Sequence, residues 1–293
     1  MKWTTFLLLV PFLGLSGLLI ILPFAAVVVK SLTTINDISF LLIKSPLQLL
    51  STQFSPQNFV RIFSDSYYRR TLYNTLIVAT FATVLCVGIG IFPAYFYAKM
   101  TKHQGKIGII TTLPLLAPDL LSCFALWMFL GADGPVNTIF YNTLHIFVQP
   151  IDVIGTWQML VLADFYVLGA YFIQSLGNIL KSSDPSIEEA SLSLGATPFQ
   201  TFRKILLPMN ASAIVILSLF VFTRTMAEFV TALILGGGKT PVLPLLVYLQ
   251  LTTYGRGGDL CVASAISVVL VLLTLSTQTA YGYIVKVITR GRG

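Results

Sequence analysis

Charge is what this sequence has least of. Asp, Glu, Lys and Arg make up 10% of its 293 residues, against 56% for the hydrophobic types, whereas soluble domains are about a quarter charged. That balance excludes an ordinary water-soluble fold. Histidine is scarcer still: His103 and His145 stand in separate polar connections, too far apart in sequence to suggest a metal site. Cys86, Cys123 and Cys261 all fall in apolar stretches without metal-ligand spacing, and they read as small packing residues. No Ser, His and acid grouping offers a hydrolytic centre. A phosphate-binding loop is approached only at Leu235-Gly236-Gly237-Gly238-Lys239-Thr240, but that motif needs glycine where Leu233 stands, with a strand before it and a helix after it. The stretch reads as a flexible turn, so any ATP is expected on a partner.

What the chain does have is long apolar runs. Residues 3–29, 71–98 and 260–285 carry no charge. Residues 107–132 carry only Asp119, 153–180 only Asp164, and 206–238 only Arg224 and Glu228. Each exceeds the ~20 residues that cross a bilayer as a helix. In lipid the backbone must satisfy its own hydrogen bonds, so helices are expected. The expectation is an all-α membrane protein with six transmembrane helices in one transmembrane domain, 1–293. The first run is too long for the apolar core of a secretory signal and lacks a small-residue cleavage site, so it reads as an uncleaved span.

Lysine and arginine in short loops set the orientation. With the amino terminus inside, three lysines crowd residues 99–106, whereas five basic residues are spread over 30–70. Both termini are therefore expected in the cytoplasm, and the net charge of +7 is accounted for by anionic lipid headgroups. Ahead of the second span, Phe59, Ile62, Phe63 and Tyr67 fall near helical spacing, which predicts an amphipathic surface helix. Gly88, Gly90 and Ala94 in that span are small enough for close helix approach, and Pro93 predicts a kink.

The moderately polar connection 181–208 can be read locally. Asp184 is placed to cap a helix whose first residue is Pro185. Gly195 is placed to end that helix in the left-handed region, and Thr197-Pro198 to start another toward Pro208. Glu189-Ala190-Ser191, three residues, Gly195, nine residues, then Ile205-Leu206-Leu207-Pro208 resembles the EAA loop of permease subunits of type I binding-protein-dependent ABC importers. The match departs from the family pattern at Ser191, where alanine is usual. The six-span layout, Pro93-Ala94, and Pro114 and Pro118 in the third span also resemble that family, within its polyamine, iron, sulfate and molybdate group.

The resemblance implies that 181–208 holds a short cytoplasmic coupling helix. Glu188, Glu189, Ala190, Ser191, Leu194, Gly195, Ala196, Pro198, Ile205 and Pro208 would then serve ATPase coupling. It also implies a second permease, identical or homologous, two ATPase subunits carrying ATP and magnesium, and an external substrate-binding protein. This chain would be no enzyme, bind no cofactor or metal, have no nucleic-acid partner, and lie in the bacterial inner membrane.

Charges within spans are expensive and mark functional positions. Asp119, Asp164, Arg224 and Glu228 are therefore candidates for a translocation path. Arg224 and Glu228 are four residues apart and can pair on one helix face; Asp119 and Asp164 have no obvious partner on their own helices. The stretch around Glu228 resembles permeases whose cargoes differ in sign, so Glu228 alone reports no cargo. The acid surplus points to a cation, such as a polyamine or ferric iron. The competing class is a secondary transporter or channel subunit that does not use ATP. Inverted repeats and broken mid-membrane helices would favour it, and no repeat is evident.

Overall fold

Proline, glycine and short polar side chains decide where the helices of this chain begin and end. The computed structural model describes residues 2–34, 54–99, 104–146 and 148–290. Lys44, Lys102, His103 and Arg292 lie outside the described residues. The helices are α1 (Lys2–Ser31), α2 (Gln57–Ser64), α3 (Ser66–Lys99), α4 (Gln104–Leu116), α5 (Asp119–Leu130), α6 (Trp157–Lys181), α7 (Pro185–Ser193), α8 (Pro198–Met209), α9 (Ala211–Met226), α10 (Val230–Leu235), α11 (Leu243–Thr252) and α12 (Leu260–Arg290). Short turns at Pro135–Asn137 and Thr138–Thr143 follow α5. Among the described residues there is no β-strand beyond one isolated bridge, Tyr254 to Gly258.

Five helical segments are long and apolar enough to cross a membrane: Gly14–Ser31, Ser66–Lys99, Asp119–Thr143, Trp157–Lys181 and Leu260–Ile284. The bent pair α8 and α9, inclined by 71°, makes a sixth when taken as one span. Two expected spans are therefore not continuous helices. The third breaks between Leu116 and Asp119, because Pro118 offers no N–H and disfavours a helical Ala117. The fifth bends at Asn210, whose backbone leaves the helix at φ −98°, ψ 13°, and it breaks again at residues 227–229. Pro93, by contrast, lies inside an unbroken α3.

The chain divides into two compact units, residues 1–70 with 246–272 and residues 71–245 with 273–293. In the first, Asn58 of α2 donates to the carbonyl oxygens of Ser31 and Thr33, both at 2.9 Å, tying α2 to the end of α1. Ile62 is fully buried while Val60 and Phe63 are exposed, so α2 has the expected two-faced character; Tyr67, also exposed, belongs to α3. Asp259 accepts from the Cys261 backbone N–H at 2.9 Å and starts α12.

The second unit is built around α6. Thr156 caps it by accepting from Met159, and Phe172 and Leu176 are completely buried. Lipid is as apolar as these side chains, so close packing rather than exclusion from water holds the helices together. A Cβ on Gly90 would come 2.8 Å from the Phe172 ring, and one on Gly177 2.5 Å from Tyr97. Ala94 is fully buried. Gly88 does not share this role, because nothing lies within 4 Å of the position its Cβ would take. The glycine turn after α10 is tied rather than loose. Gly155 donates to Leu235 O at 2.8 Å, and the Thr240 hydroxyl donates to Gly155 O at 2.7 Å.

Candidate functional site

The 181–208 connection is organised by helix-end hydrogen bonds. Asp184 Oδ1 accepts from the Ser186 backbone N–H at 2.9 Å, with Pro185 at the first helical position. That hydrogen bond holds the Asp184 carboxyl below the usual carboxylate range, so the cap is ionised at neutral pH. At the other end of α7, Gly195 has φ +86°. Gly195 donates to Leu192 O at 3.0 Å and Ala196 to Ser191 O at 3.2 Å. This is a Schellman closure, in which a left-handed glycine lets the last carbonyls find partners.

One residue later Thr197 opens α8. Its hydroxyl accepts from Gln200 N, and the Gln200 side chain accepts from Thr197 N at 2.9 Å, a reciprocal capping box. Two helices thus meet at a corner whose conformation is fixed from both sides. The Ser191 and Thr201 hydroxyls, both on buried residues, join across the corner at 2.9 Å.

Leu194 is 89% exposed at this corner, and Leu192 and Phe199 are exposed beside it. Glu189, Ala190, Gly195, Pro198 and Pro208 are also exposed; Ala196 and Ile205 are half-buried. Glu188 turns the other way and pairs with the Lys99 ammonium at the end of α3. Phe202 anchors the start of the return path, buried with its ring 4.4 Å from that of Tyr95. Lys99, Thr201 and Phe202 join the corner without any motif in the sequence that marks them. The sequence signal for Lys99 was its place as the first charge after the bare run of α3.

The four charged candidates within the apolar segments come together. Arg224 Nη2 donates to Asp119 Oδ2 at 2.8 Å, and Nη1 donates to Glu228 Oε2. The expected Arg224–Glu228 pair is thus present and extends to Asp119. Asp119 is the first residue of α5, not a mid-helix residue, and a carboxylate suits the positive end of a helix. Glu228 Oε1 also accepts from Val230 N at 2.9 Å and so starts α10. Arg224 therefore bridges the two carboxylates that stand at two breaks in the helices.

Asp164, on α6, is 4% exposed. It shares a cavity of about 40 Å³ with Asp119, Ser122, Arg224, Glu228 and Thr231. Among the described residues no three His, Cys, Asp or Glu side chains are grouped to hold a metal ion.

Broken apolar helices, with charges joined at their breaks, mark a helical membrane protein. The chain matches the family described as binding-protein-dependent transport system inner membrane component over residues 88–290, and it belongs to that family. It is 30% identical over 228 residues to a ferric transport system permease protein, FbpB 1, of Haemophilus influenzae, covering 76% of this chain and 34% of that protein. It therefore spans about a third of that relative. It is 25% identical over 244 residues to the spermidine/putrescine transport system permease protein PotB of Escherichia coli K12, covering 83% of this chain and 85% of that protein.

The fold is that of ABC importer permeases. A chain of a bacterial ABC transporter for alginate import superimposes with a TM-score of 0.76 at 16% identity, over 98% of this chain and 96% of that one. A chain of the MetNI methionine ABC transporter does so with a TM-score of 0.54 at 19% identity, over 75% and 93%. Broken helices alone would have suited an ion-gradient transporter, and family membership favours the importer reading over it.

Proposed function

We propose that this chain is the permease subunit of an ATP-driven, binding-protein-dependent importer, with residues 1–293 acting as one transmembrane domain. The observation that carries the reading is the doubly capped corner at Gly195, which holds Leu194 and Phe199 outward on rigid helix ends. Exposed apolar side chains on a preorganised corner suit a groove on a partner. The partner proposed is an ATPase subunit that binds ATP and magnesium. Glu188, Glu189, Ala190, Ser191, Leu194, Gly195, Ala196, Pro198, Ile205 and Pro208 form or support this docking element. Closure of an ATPase dimer would move the corner, and α8 and the Lys99–Glu188 pair would carry that motion to the spans. A second permease completes the path, an external binding protein delivers cargo, and both termini face the cytoplasm.

Asp119, Asp164, Arg224 and Glu228 line the path in this reading. Three acids against one arginine leave it acidic, which suits a cationic cargo. The ferric and spermidine/putrescine relatives support a polyamine or ferric iron.

Reconstitution with the ATPase and binding protein tests the assignment. Uptake into vesicles should require ATP and persist when ion gradients are collapsed by ionophores. Gradient-driven uptake without ATP would overturn it. The cargo proposal has its own test: Asp119→Asn and Asp164→Asn should slow uptake in complexes that still assemble. Unchanged uptake in both, or a binding protein that captures only anions, would overturn that part alone.

A further inference from the structure

We infer that the cavity beside Asp164 is a binding site for one small monovalent cation of the alkali type. The inference goes beyond the import reading and does not depend on it. It begins from a charge count. Asp119, Asp164 and Glu228 face the cavity, and among the described residues that line it Arg224 is the sole cation. Arg224 directs one Nη to Asp119 and the other to Glu228. Asp164, on the opposing helix α6, is left without a cationic side chain of its own in the cavity wall. A carboxylate buried this deeply calls for a counter-charge or a proton.

An independent observation points to a ligand. Ser122 lines the same cavity, its residue is 5% exposed, and its Oγ has no hydrogen-bond partner. Buried hydroxyls are seldom left unpaired. Behind it, a smaller cavity of about 10 Å³ is lined by Thr75, Asp164, Thr225, Glu228 and Thr231. There the Thr225 hydroxyl is also buried without a partner. Two orphan hydroxyls on α5 and α9 thus flank a carboxylate on α6 that has a Thr231 hydrogen bond but no ion pair of its own.

Size and chemistry narrow the guest. A cavity needs roughly 10–15 Å³ to hold one water, so about 40 Å³ admits a bare cation with a water or two. The ligands nearest to free are hard oxygens, the unpartnered Ser122 hydroxyl and the Asp164 carboxylate, the type that alkali and alkaline-earth ions take. The Arg224 guanidinium on the cavity wall disfavours a multivalent ion. A single positive charge fits both the volume and the balance.

The test uses the full chain purified in detergent in choline chloride, with NaCl, KCl or LiCl substituted at constant ionic strength. Thermal unfolding should shift upward, saturably, with at least one alkali ion and not with choline. Ser122→Ala, which keeps every charge, should raise the half-saturating concentration about tenfold, the effect of one lost oxygen ligand. Asp164→Asn should abolish the shift. Identical curves in alkali and choline salts would overturn the proposal. So would a Ser122→Ala titration that matches wild type, or a stabilisation that follows lowered pH alone, which would mean that Asp164 takes a proton instead. ATP-dependent uptake in reconstituted vesicles is read separately, so failure here leaves the importer assignment standing.

Discussion

The Ser191 and Thr201 hydroxyls lie 2.9 Å apart across the corner at Gly195, each on a residue no more than 5% exposed. Ser191 is the one position where the loop departs from the family pattern, and Thr201 gives the departure a physical use. Ser191→Ala should leave the Thr201 hydroxyl buried and unpaired, at a cost of about 1–3 kcal/mol. Combining it with Thr201→Val removes both partners and should recover most of the loss. Thermal unfolding of the purified protein checks both, and equal stability of the single and double variants would contradict the clasp.

Gly195 holds φ +86° with open space around its Cβ position. The cost of a side chain there is therefore conformational rather than steric. Gly195→Val should cost about 1–2 kcal/mol at the turn and disturb the corner. Membrane insertion should stay normal while uptake and permease-stimulated ATP hydrolysis fall. Gly195→Asn, which tolerates the left-handed region better, should be milder in both assays.

Lys99 and Glu188 join the end of α3 to α7. Lys99 is 43% exposed and Glu188 17%, so solvent screening limits the pair to about 0.2–1 kcal/mol of stability. Its effect on coupling is expected to exceed its effect on folding. Lys99→Glu should uncouple ATP hydrolysis from uptake with little change in unfolding temperature. Lys99→Glu with Glu188→Lys should restore uptake, and a swap no better than the single change would deny the contact a role.

Arg224 satisfies two carboxylates, one at the start of α5 and one in the break between α9 and α10. Arg224→Ala would leave both carboxylates without their cation; Arg224 and Asp119 are 41% and 37% exposed and only Glu228, at 9%, is buried, so solvent screening holds the cost to about 1–3 kcal/mol. Reduced membrane accumulation is the expected readout. Arg224→Lys should rescue only in part, because one ammonium lacks the fork that reaches both acids. Accumulation of the alanine variant at wild-type level would show that the acids are neutralised by other means.

The sequence announced much of this, and the physics explains the remainder. Bare apolar runs locate most spans because the bilayer penalises any charge within them. The corner at 184–201 was readable because caps are local: Asp184, Pro185, Gly195, Thr197 and Pro198 act within a few residues of themselves. The Arg224–Glu228 pair was readable by spacing, but its extension to Asp119 was not, since a contact over 105 positions leaves no local trace. The broken third and fifth spans were hidden by their own hydrophobicity. Pro118 marked one break, whereas Pro93 and Pro114 lie inside continuous helices, so proline alone does not decide. Thr201 and Lys99 gained their importance only once the chain folded back.

In the function proposed, the Gly195 corner seats on the ATPase. Leu194, 89% exposed at its apex, is the residue to label. Leu194→Cys adds an accessible thiol to a chain whose own Cys86, Cys123 and Cys261 are buried. With a short thiol-to-amine crosslinker, the assembled complex should yield a permease–ATPase adduct whose amount changes when ATP is added. An adduct with the external binding protein, or none with the ATPase in a complex that hydrolyses ATP and transports, would contradict it.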